Sequence, residues 1–190
     1  NHWRGLLMGG GVRIGPDVLY SIAVAFALSY MTTVLGLSRT LALTALSLGG
    51  VVNALSIPLF GALSDRWGRR VVYGAGAVLG IGWMFAFFPL LATKQPALIV
   101  LAVVVALTLH AAMYGPQAAF IAAHFPTRVR FAGASLAYTL AGVIGGGIAP
   151  MISTALLQSY GTSTAVSSYA AVALLVTCFV LLAARERARE

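Results

Sequence analysis

Six long apolar runs limit the fold of this chain more than any other feature. They cover residues 18–35, 41–63, 71–92, 97–123, 131–157 and 165–184, and short polar or Pro/Gly-marked breaks separate them. A helix of about 20 apolar residues crosses a hydrocarbon core of about 30 Å. The alternating pattern of a transmembrane strand is absent, so each run is predicted to be a spanning helix. The sequence therefore predicts an all-α membrane protein with six transmembrane helices.

The composition agrees with lipid as the solvent of this protein. Of the 190 residues, 60% are hydrophobic and 8% are charged, and the mean hydropathy is +0.94. Soluble domains average roughly 45–50% apolar and roughly 25% charged residues, and disordered chains are still more polar. An ordinary soluble domain and a disordered segment are both excluded, and the lipid bilayer is the expected surrounding.

The basic residues predict the orientation of the spans. The chain has 12 Lys+Arg and 4 Asp+Glu, and if the N-terminal segment lies inside, only Arg39 and Lys94 fall outside. The predicted inner group consists of Arg4, Arg13, Arg66, Arg69, Arg70, Arg128, Arg130, Arg185, Arg187 and Arg189. This positive-inside bias predicts cytoplasmic termini and a place in the inner (plasma) membrane. A soluble basic face with interleaved aromatics is absent, so no nucleic-acid partner is expected.

The sequence argues against an enzyme. No Asp or Glu occurs between Asp65 and Glu186, so paired-carboxylate catalysis is excluded over most of the chain. The glycine-rich stretch 74–80 lacks the acidic ribose partner of a dinucleotide site and is better explained by close helix packing. Cys178 is the single cysteine, which excludes an internal disulfide and argues against a metal cluster. No cofactor or metal is expected.

The loop between the second and third runs contains the most informative motif. Its defined positions are Gly61, Asp65, Arg66, Gly68, Arg69 and Arg70. A glycine lets two helices approach closely, and another permits a turn with positive φ. Asp65 lies near the C-terminal end of its helix, where the helix dipole disfavours a carboxylate, so it needs a cationic partner or another helix N-terminus. We expect this cluster to act as a conformational latch; purely topogenic charge is the alternative.

This motif resembles the G-x-x-x-D-R-x-G-R-R loop of the major facilitator superfamily, found between the second and third helices of each six-helix half. Stretches 114–120 and 125–130 resemble those of metabolite:proton symporters, and the resemblance covers 10–184. It implies half of a major facilitator fold, a three-plus-three inverted repeat. These spans would be helices seven to twelve of a longer polypeptide, whose N-terminal half is the expected partner. The implied function is alternating-access symport of a proton with a small organic acid or zwitterion such as a shikimate-, dicarboxylate- or betaine-like solute.

The chain also departs from the resembled family. Ala123 and His124 stand where an acidic residue usually precedes the loop, and Asn53 stands at another position that is often acidic. Both departures weaken the expectation of a charge relay or a proton site in this half. A weak match between the second and fifth runs, at an offset of 92 residues, supports the repeat.

Polar residues inside the apolar runs are the candidates for a substrate cavity, because such residues are costly in lipid. His110, Tyr114 and Gln117 share one helical face at i, i+4 and i+7, and histidine can change charge near physiological pH. The alternative for His110 is a side chain satisfied by packing. Asn53 is either a cavity donor or an interhelical bond. Tyr20 completes the predicted cavity residues.

Arg13 and Asp17 have the i, i+4 spacing of an ion pair, with Tyr20 on the same face. The reading favoured by the sequence is an interfacial pair at the start of the first run, where Arg13 reaches the headgroups. A functional pair is the alternative. For the whole chain, the alternative to a transporter half is a self-standing six-helix scaffold or accessory subunit.

Overall fold

The computed structural model describes residues 2–123, 125 and 130–184. Across these residues the chain is helical, without a strand. Six helices are long and apolar enough to cross a membrane: Leu7–Val34, Arg39–Trp67, Arg69–Ala92, Pro96–Ala123, Phe131–Tyr160 and Ser163–Ala183. We refer to them as the first to sixth spans. The predicted all-α architecture with six spans is therefore confirmed. His124, most of the following loop and the arginines at 185–189, which carried part of the orientation prediction, lie outside the described residues.

The first span begins well before residue 18, the predicted start. An α-helix already covers His2–Ser21 and continues through π-helical turns at Ile22–Phe26 and Tyr30–Val34. The glycines and charged residues upstream of residue 18 do not form an apolar run, so the sequence alone does not indicate a span there. Close packing compensates for the low helix propensity of glycine, since a Cβ at Gly15 would lie 2.6 Å from the Thr177 hydroxyl of the sixth span. Residues 13 and 17 consequently lie within the span.

Local signals in the sequence set several of the other boundaries. Ser38 caps the second span by accepting a hydrogen bond from the Leu41 amide. That span ends at Gly68, whose φ of 92° suits glycine and confirms the predicted turn. Gly161, at φ 65°, ends the fifth span, and the Thr162 hydroxyl caps the sixth.

The packing of the spans has a twofold pattern. The second span packs chiefly against the fourth, and the fifth packs chiefly against the first. Likewise the third contacts the fourth, the sixth contacts the first, and the third and sixth contact each other. Exchanging spans one, two and three with four, five and six maps this pattern onto itself. Successive spans run in opposite directions, so the two triplets are inverted relative to each other, as a three-plus-three inverted repeat requires.

Burial is unequal among the spans. In the most apolar 18 residues of the second and fifth spans, 11% and 22% are buried, whereas the other four spans have 39–50%. The interior is filled by large side chains of the other spans, including Tyr73, Phe87, Phe88 and Phe120. The second and fifth spans therefore form the edges of the bundle and leave broad apolar faces uncovered by the described residues.

Candidate functional site

A polar cavity of about 450 Å³ lies among the first, second, fourth and fifth spans. Its polar lining consists of Arg13, Asp17, Tyr20, Ser21, Asn53, His110 and Tyr114. His110 stands midway along Pro96–Ala123, so the cavity lies near the middle of the bundle. Four of the five predicted cavity residues are brought together here: Tyr20, Asn53, His110 and Tyr114.

Asn53 and His110 form one hydrogen-bonded unit on the cavity wall. The Asn53 side-chain nitrogen lies 2.6 Å from the Leu107 carbonyl oxygen and 3.0 Å from Nδ1 of His110. A carbonyl oxygen can only accept, so the amide donates one hydrogen to Leu107 and its other to His110. Nδ1 is then an acceptor, and the ring is the neutral tautomer protonated on Nε2. Asn53 thus forms an interhelical hydrogen bond, and although it also lines the cavity, both of its donor hydrogens are used within the bundle.

Two aromatic rings pack against the histidine. The ring centroid of His110 is 4.8 Å from that of Tyr20 on the first span and 5.2 Å from that of Tyr114. His110 retains only 5% of its exposure. It is therefore packed by its neighbours and bonded to Asn53 at Nδ1, while it also contributes to the cavity lining.

Arg13 and Asp17 form the ion pair that their spacing predicts, but they do not lie exposed at an interface. The Arg13 Nε lies 2.6 Å from Asp17 Oδ2, and the two side chains are 15% and 10% exposed. The guanidinium carbon lies 4.0 Å from the ring centre of Tyr138 on the fifth span, a cation–π contact. The prediction of an interfacial pair at the start of the first span is corrected, because this span begins earlier than predicted and both residues lie inside the bundle.

Gln117 does not line the cavity. It is fully buried, and its amide nitrogen donates to the Tyr73 hydroxyl at 3.1 Å. The Tyr138 hydroxyl donates to its amide oxygen at 3.4 Å, while Tyr73 donates to the Val12 carbonyl at 2.9 Å. Of the three residues predicted to share a cavity-facing side, His110 and Tyr114 line the cavity. Gln117 instead belongs to a chain of hydrogen bonds in the interior of the bundle.

Sequence reasoning missed the glycine-rich wall of the cavity. The fifth span is π-helical over Gly142–Gly147, and the Ser21 hydroxyl donates to the Gly146 carbonyl at 2.6 Å. A Cβ at Gly145 would lie 3.1 Å from the Asp17 Cβ. The cluster of four glycines within six residues was the available signal, because small residues mark close helix contacts.

The loop motif forms two separate groups of contacts. Asp65, 69% exposed, lies 3.6 Å from Nη2 of Arg69. Arg70 instead donates to the carbonyls of Leu181 and Leu182 at the end of the sixth span. The predicted carboxylate–arginine contact is present but exposed, and the tie between the third and sixth spans was not foreseen.

The second and fourth spans do approach closely beside Gly61. A Cβ at Gly115 of the fourth span would lie 2.8 Å from the Gly61 nitrogen and 2.8 Å from the Ile57 oxygen. A Cβ at Gly61 would meet only the Gly115 oxygen, at 3.8 Å. The close approach therefore depends on Gly115, a residue outside the loop motif.

Fold and site together define a polytopic α-helical membrane protein with a polar, ion-paired cavity between two inverted triplets of helices. Residues 17–190 match the Major Facilitator Superfamily. The chain belongs to this family.

Several bacterial relatives are similar over most of this chain. It is 31% identical to the inner membrane metabolite transport protein YhjE of Escherichia coli, covering 97% of this chain and 43% of that protein. It is 34% identical to the shikimate transporter of the same organism, with 88% and 39% covered. It is 32% identical to a citrate-proton symporter of Klebsiella pneumoniae, with 94% and 41% covered. The chain thus spans about two fifths of the length of these relatives.

Proposed function

We propose that this chain is the C-terminal six-helix half of a secondary transporter that moves a small organic acid or zwitterion together with a proton. The observation that carries the proposal is the polar cavity near the middle of a membrane bundle, with an ion pair on its wall. Charged groups in such a position are costly and usually mark a transport path. Shikimate and citrate, which name two of the relatives, both contain a carboxylate.

The partner in this proposal is the N-terminal six-helix half of the same polypeptide. The second and fifth spans flank the cavity and leave apolar faces uncovered, which a further set of helices would bury. The chain also matches less than half of each relative. In this arrangement the two halves rock against each other around the central site, with both termini of this chain cytoplasmic, in the inner membrane. It is a transport role, not an enzymatic one.

The loop motif would control this rocking. Arg70 ties the start of the third span to the end of the sixth, whereas Asp65 remains largely exposed with one weak contact. An exposed carboxylate at the C-terminal end of a helix is free to take a better partner when the other half closes over it. We therefore assign Arg70 to the rigidity of this half, and Asp65, with Arg66 and Arg69, to the latch.

Uptake into proteoliposomes tests the proposal. The full-length protein is reconstituted, and accumulation of shikimate, citrate and glycine betaine is followed with and without an imposed inward proton gradient. We expect at least one solute to accumulate, and only with the gradient. Liposomes holding the 190-residue chain alone are the control, and we expect no uptake there because half of the cavity wall is missing. Failure of the full-length protein to take up any organic acid or zwitterion, or transport by the isolated monomeric chain, would refute the proposal.

A further inference from the structure

A proline inside the first span leaves one backbone carbonyl without its helical partner. In a regular helix the Val12 oxygen would accept a hydrogen bond from the amide of residue 16, but Pro16 has no N–H. Two side chains of other spans take its place, since the Tyr73 hydroxyl lies 2.9 Å and the Thr177 hydroxyl 3.0 Å from the Val12 oxygen. The backbone immediately before Arg13 is thus held by the third and sixth spans.

A second line of contacts reaches the side chain of Arg13. Its guanidinium carbon lies 4.0 Å from the ring centre of Tyr138, and the Tyr138 hydroxyl lies 3.4 Å from the Gln117 amide oxygen. The Gln117 amide nitrogen lies 3.1 Å from the Tyr73 hydroxyl, which in turn bonds Val12. Because Val12 and Arg13 are consecutive residues, these contacts form a closed circuit. We call its five members, Val12, Arg13, Tyr73, Gln117 and Tyr138, the Arg13 network.

The hydrogen bonds of the Arg13 network have one consistent direction. A carbonyl oxygen can only accept, so the Tyr73 hydroxyl donates its hydrogen to Val12 and accepts from the Gln117 nitrogen. The Gln117 oxygen then faces Tyr138, whose hydroxyl donates to it. With the amide reversed, its oxygen would face a Tyr73 hydroxyl that has no hydrogen left to donate. The network therefore has a single arrangement, which fixes Arg13 by its backbone and by its side chain.

The Arg13 network leads from the interior of the bundle to the cavity wall. Tyr73 and Gln117 are fully buried, whereas Arg13 lines the cavity. Apolar side chains of similar volume would fill such an interior without needing partners, and replacing buried polar partners by them is often neutral or stabilising. Stability alone therefore does not call for a phenol and an amide here. A fully bonded polar network instead holds its members in one geometry.

We propose that Tyr73 and Gln117, which are not among the residues that line the cavity, position Arg13 in the cavity wall for transport; this rests on the proposed function. Tyr73 holds the backbone at Val12, and Gln117 holds the phenol on which the guanidinium lies. Loss of either bond lets the guanidinium leave the Tyr138 ring. A misplacement of about 1 Å in a functional group can cost about a hundredfold in rate. Transport thus depends on two residues that the solute does not reach.

Two variants separate positioning from simple packing. Y73F removes the hydroxyl and leaves the buried amide nitrogen of Gln117 without its acceptor. Y73F/Q117M removes the amide as well, so that an apolar pair of similar size remains, while Thr177 still donates to Val12 in both variants. The double variant should therefore recover much of the stability that Y73F loses. It should not recover the position of Arg13.

S167A is the matched control for the loss of a buried hydrogen bond. The Ser167 hydroxyl donates to the Met84 carbonyl at 2.7 Å. This bond also joins the sixth span to the third, but neither residue belongs to the Arg13 network. S167A should therefore lower stability without affecting Arg13.

Fluorine NMR of the full-length protein in detergent micelles tests the position of Arg13. 3-Fluorotyrosine is introduced at position 138, where its resonance responds to the guanidinium over the ring. R13Q gives the reference resonance of the ring without the guanidinium. In Y73F and Y73F/Q117M we expect the resonance to move from its wild-type position toward this reference, and in S167A to stay unchanged. Y73F added to R13Q should move it little further, because the guanidinium is already absent.

Uptake kinetics of the same variants test what this position does for transport. The probe is whichever of shikimate, citrate and glycine betaine the wild type accumulates. At matched membrane abundance, Y73F and Y73F/Q117M should each lower kcat/KM about tenfold or more, whereas S167A should stay within about twofold of the wild type. Unfolding in detergent–SDS micelles measures the stability of each variant alongside.

The opposite results would overturn the proposal. Uptake that returns together with stability in Y73F/Q117M makes the Arg13 network merely structural. A resonance that Y73F leaves in place, or moves equally in the R13Q background, shows that Tyr73 does not act through Arg13. Wild-type uptake by Y73F also overturns the proposal, while the proposed transport function survives. If the wild type accumulates no organic acid or zwitterion at all, the proposed function itself fails and this inference fails with it.

Discussion

Replacing Gly115 with alanine should separate the second and fourth spans. The new Cβ would lie 2.8 Å from two backbone atoms, the Gly61 nitrogen and the Ile57 oxygen, and 3.2 Å from the Phe60 carbonyl carbon. Backbone atoms cannot rotate away as a side chain can. Ordinary contact begins at 3.4 Å, so the helices must move apart by about 0.6 Å, and overpacking of a close contact costs about 1–3 kcal/mol. We expect this steric cost in G115A, where the higher helix propensity of alanine partly offsets it.

The matched control is G61A on the facing helix, whose Cβ would meet one atom at an ordinary 3.8 Å. Both variants replace a helical glycine with alanine and share the same gain in helix propensity, about 1 kcal/mol. Their difference therefore isolates the steric effect. Equilibrium unfolding of the purified protein in mixed detergent–SDS micelles measures it, and G115A should be less stable than G61A by about 1–3 kcal/mol. Equal stability of the two variants would refute the close approach.

Three further predictions concern the latch and the cavity. D65N should change the unfolding free energy by less than about 1 kcal/mol, since the contact of Asp65 with Arg69 is exposed. At matched membrane abundance it should slow uptake about fivefold, which corresponds to a contribution of about 1 kcal/mol from the contact made on closure. Unchanged uptake would remove the latch role. N53A should destabilise the protein by about 1–3 kcal/mol, because buried acceptors at Leu107 and His110 lose their donor; wild-type unfolding in SDS would contradict this. H110Q should retain the wild-type pH dependence of proton-driven accumulation, because the glutamine oxygen can accept the Asn53 hydrogen bond; a flattened pH profile would instead make His110 a proton carrier.

The number of helices and the loop could be predicted from the sequence because their determinants are local. Apolar runs of spanning length define the helices, and the position of Gly68 between two runs predicts a turn that glycine favours. The start of the first span could not be predicted in this way. Glycines and charges upstream of residue 18 argue against a span, and their helix forms because it packs against the sixth span, where Gly15 contacts Thr177.

The sequence indicated four of the polar residues that line the cavity, but not how the cavity is arranged. Spacing correctly indicated that His110 and Tyr114 share a face, yet helical periodicity does not say where a neighbouring helix covers that face, which is why Gln117 is buried against Tyr73. The burial of Arg13 depends on the fifth span, more than 100 residues away. Contacts of this kind arise from tertiary packing and leave no local pattern in the sequence.

Chemical labelling of the cavity wall tests most directly the central claim, that this cavity is a solute site that water can reach. A cysteine at position 114 of the full-length protein, with Cys178 replaced by alanine, is treated in membranes with an impermeant thiol reagent, which requires water and a thiolate. Q117C on the same helix is the matched control, because Gln117 is fully buried outside the cavity. We predict that Y114C reacts, that the transported carboxylate slows the reaction, and that Q117C stays unlabelled. Labelling of Q117C without Y114C, or labelling of Y114C that saturating solute does not slow, would contradict the account.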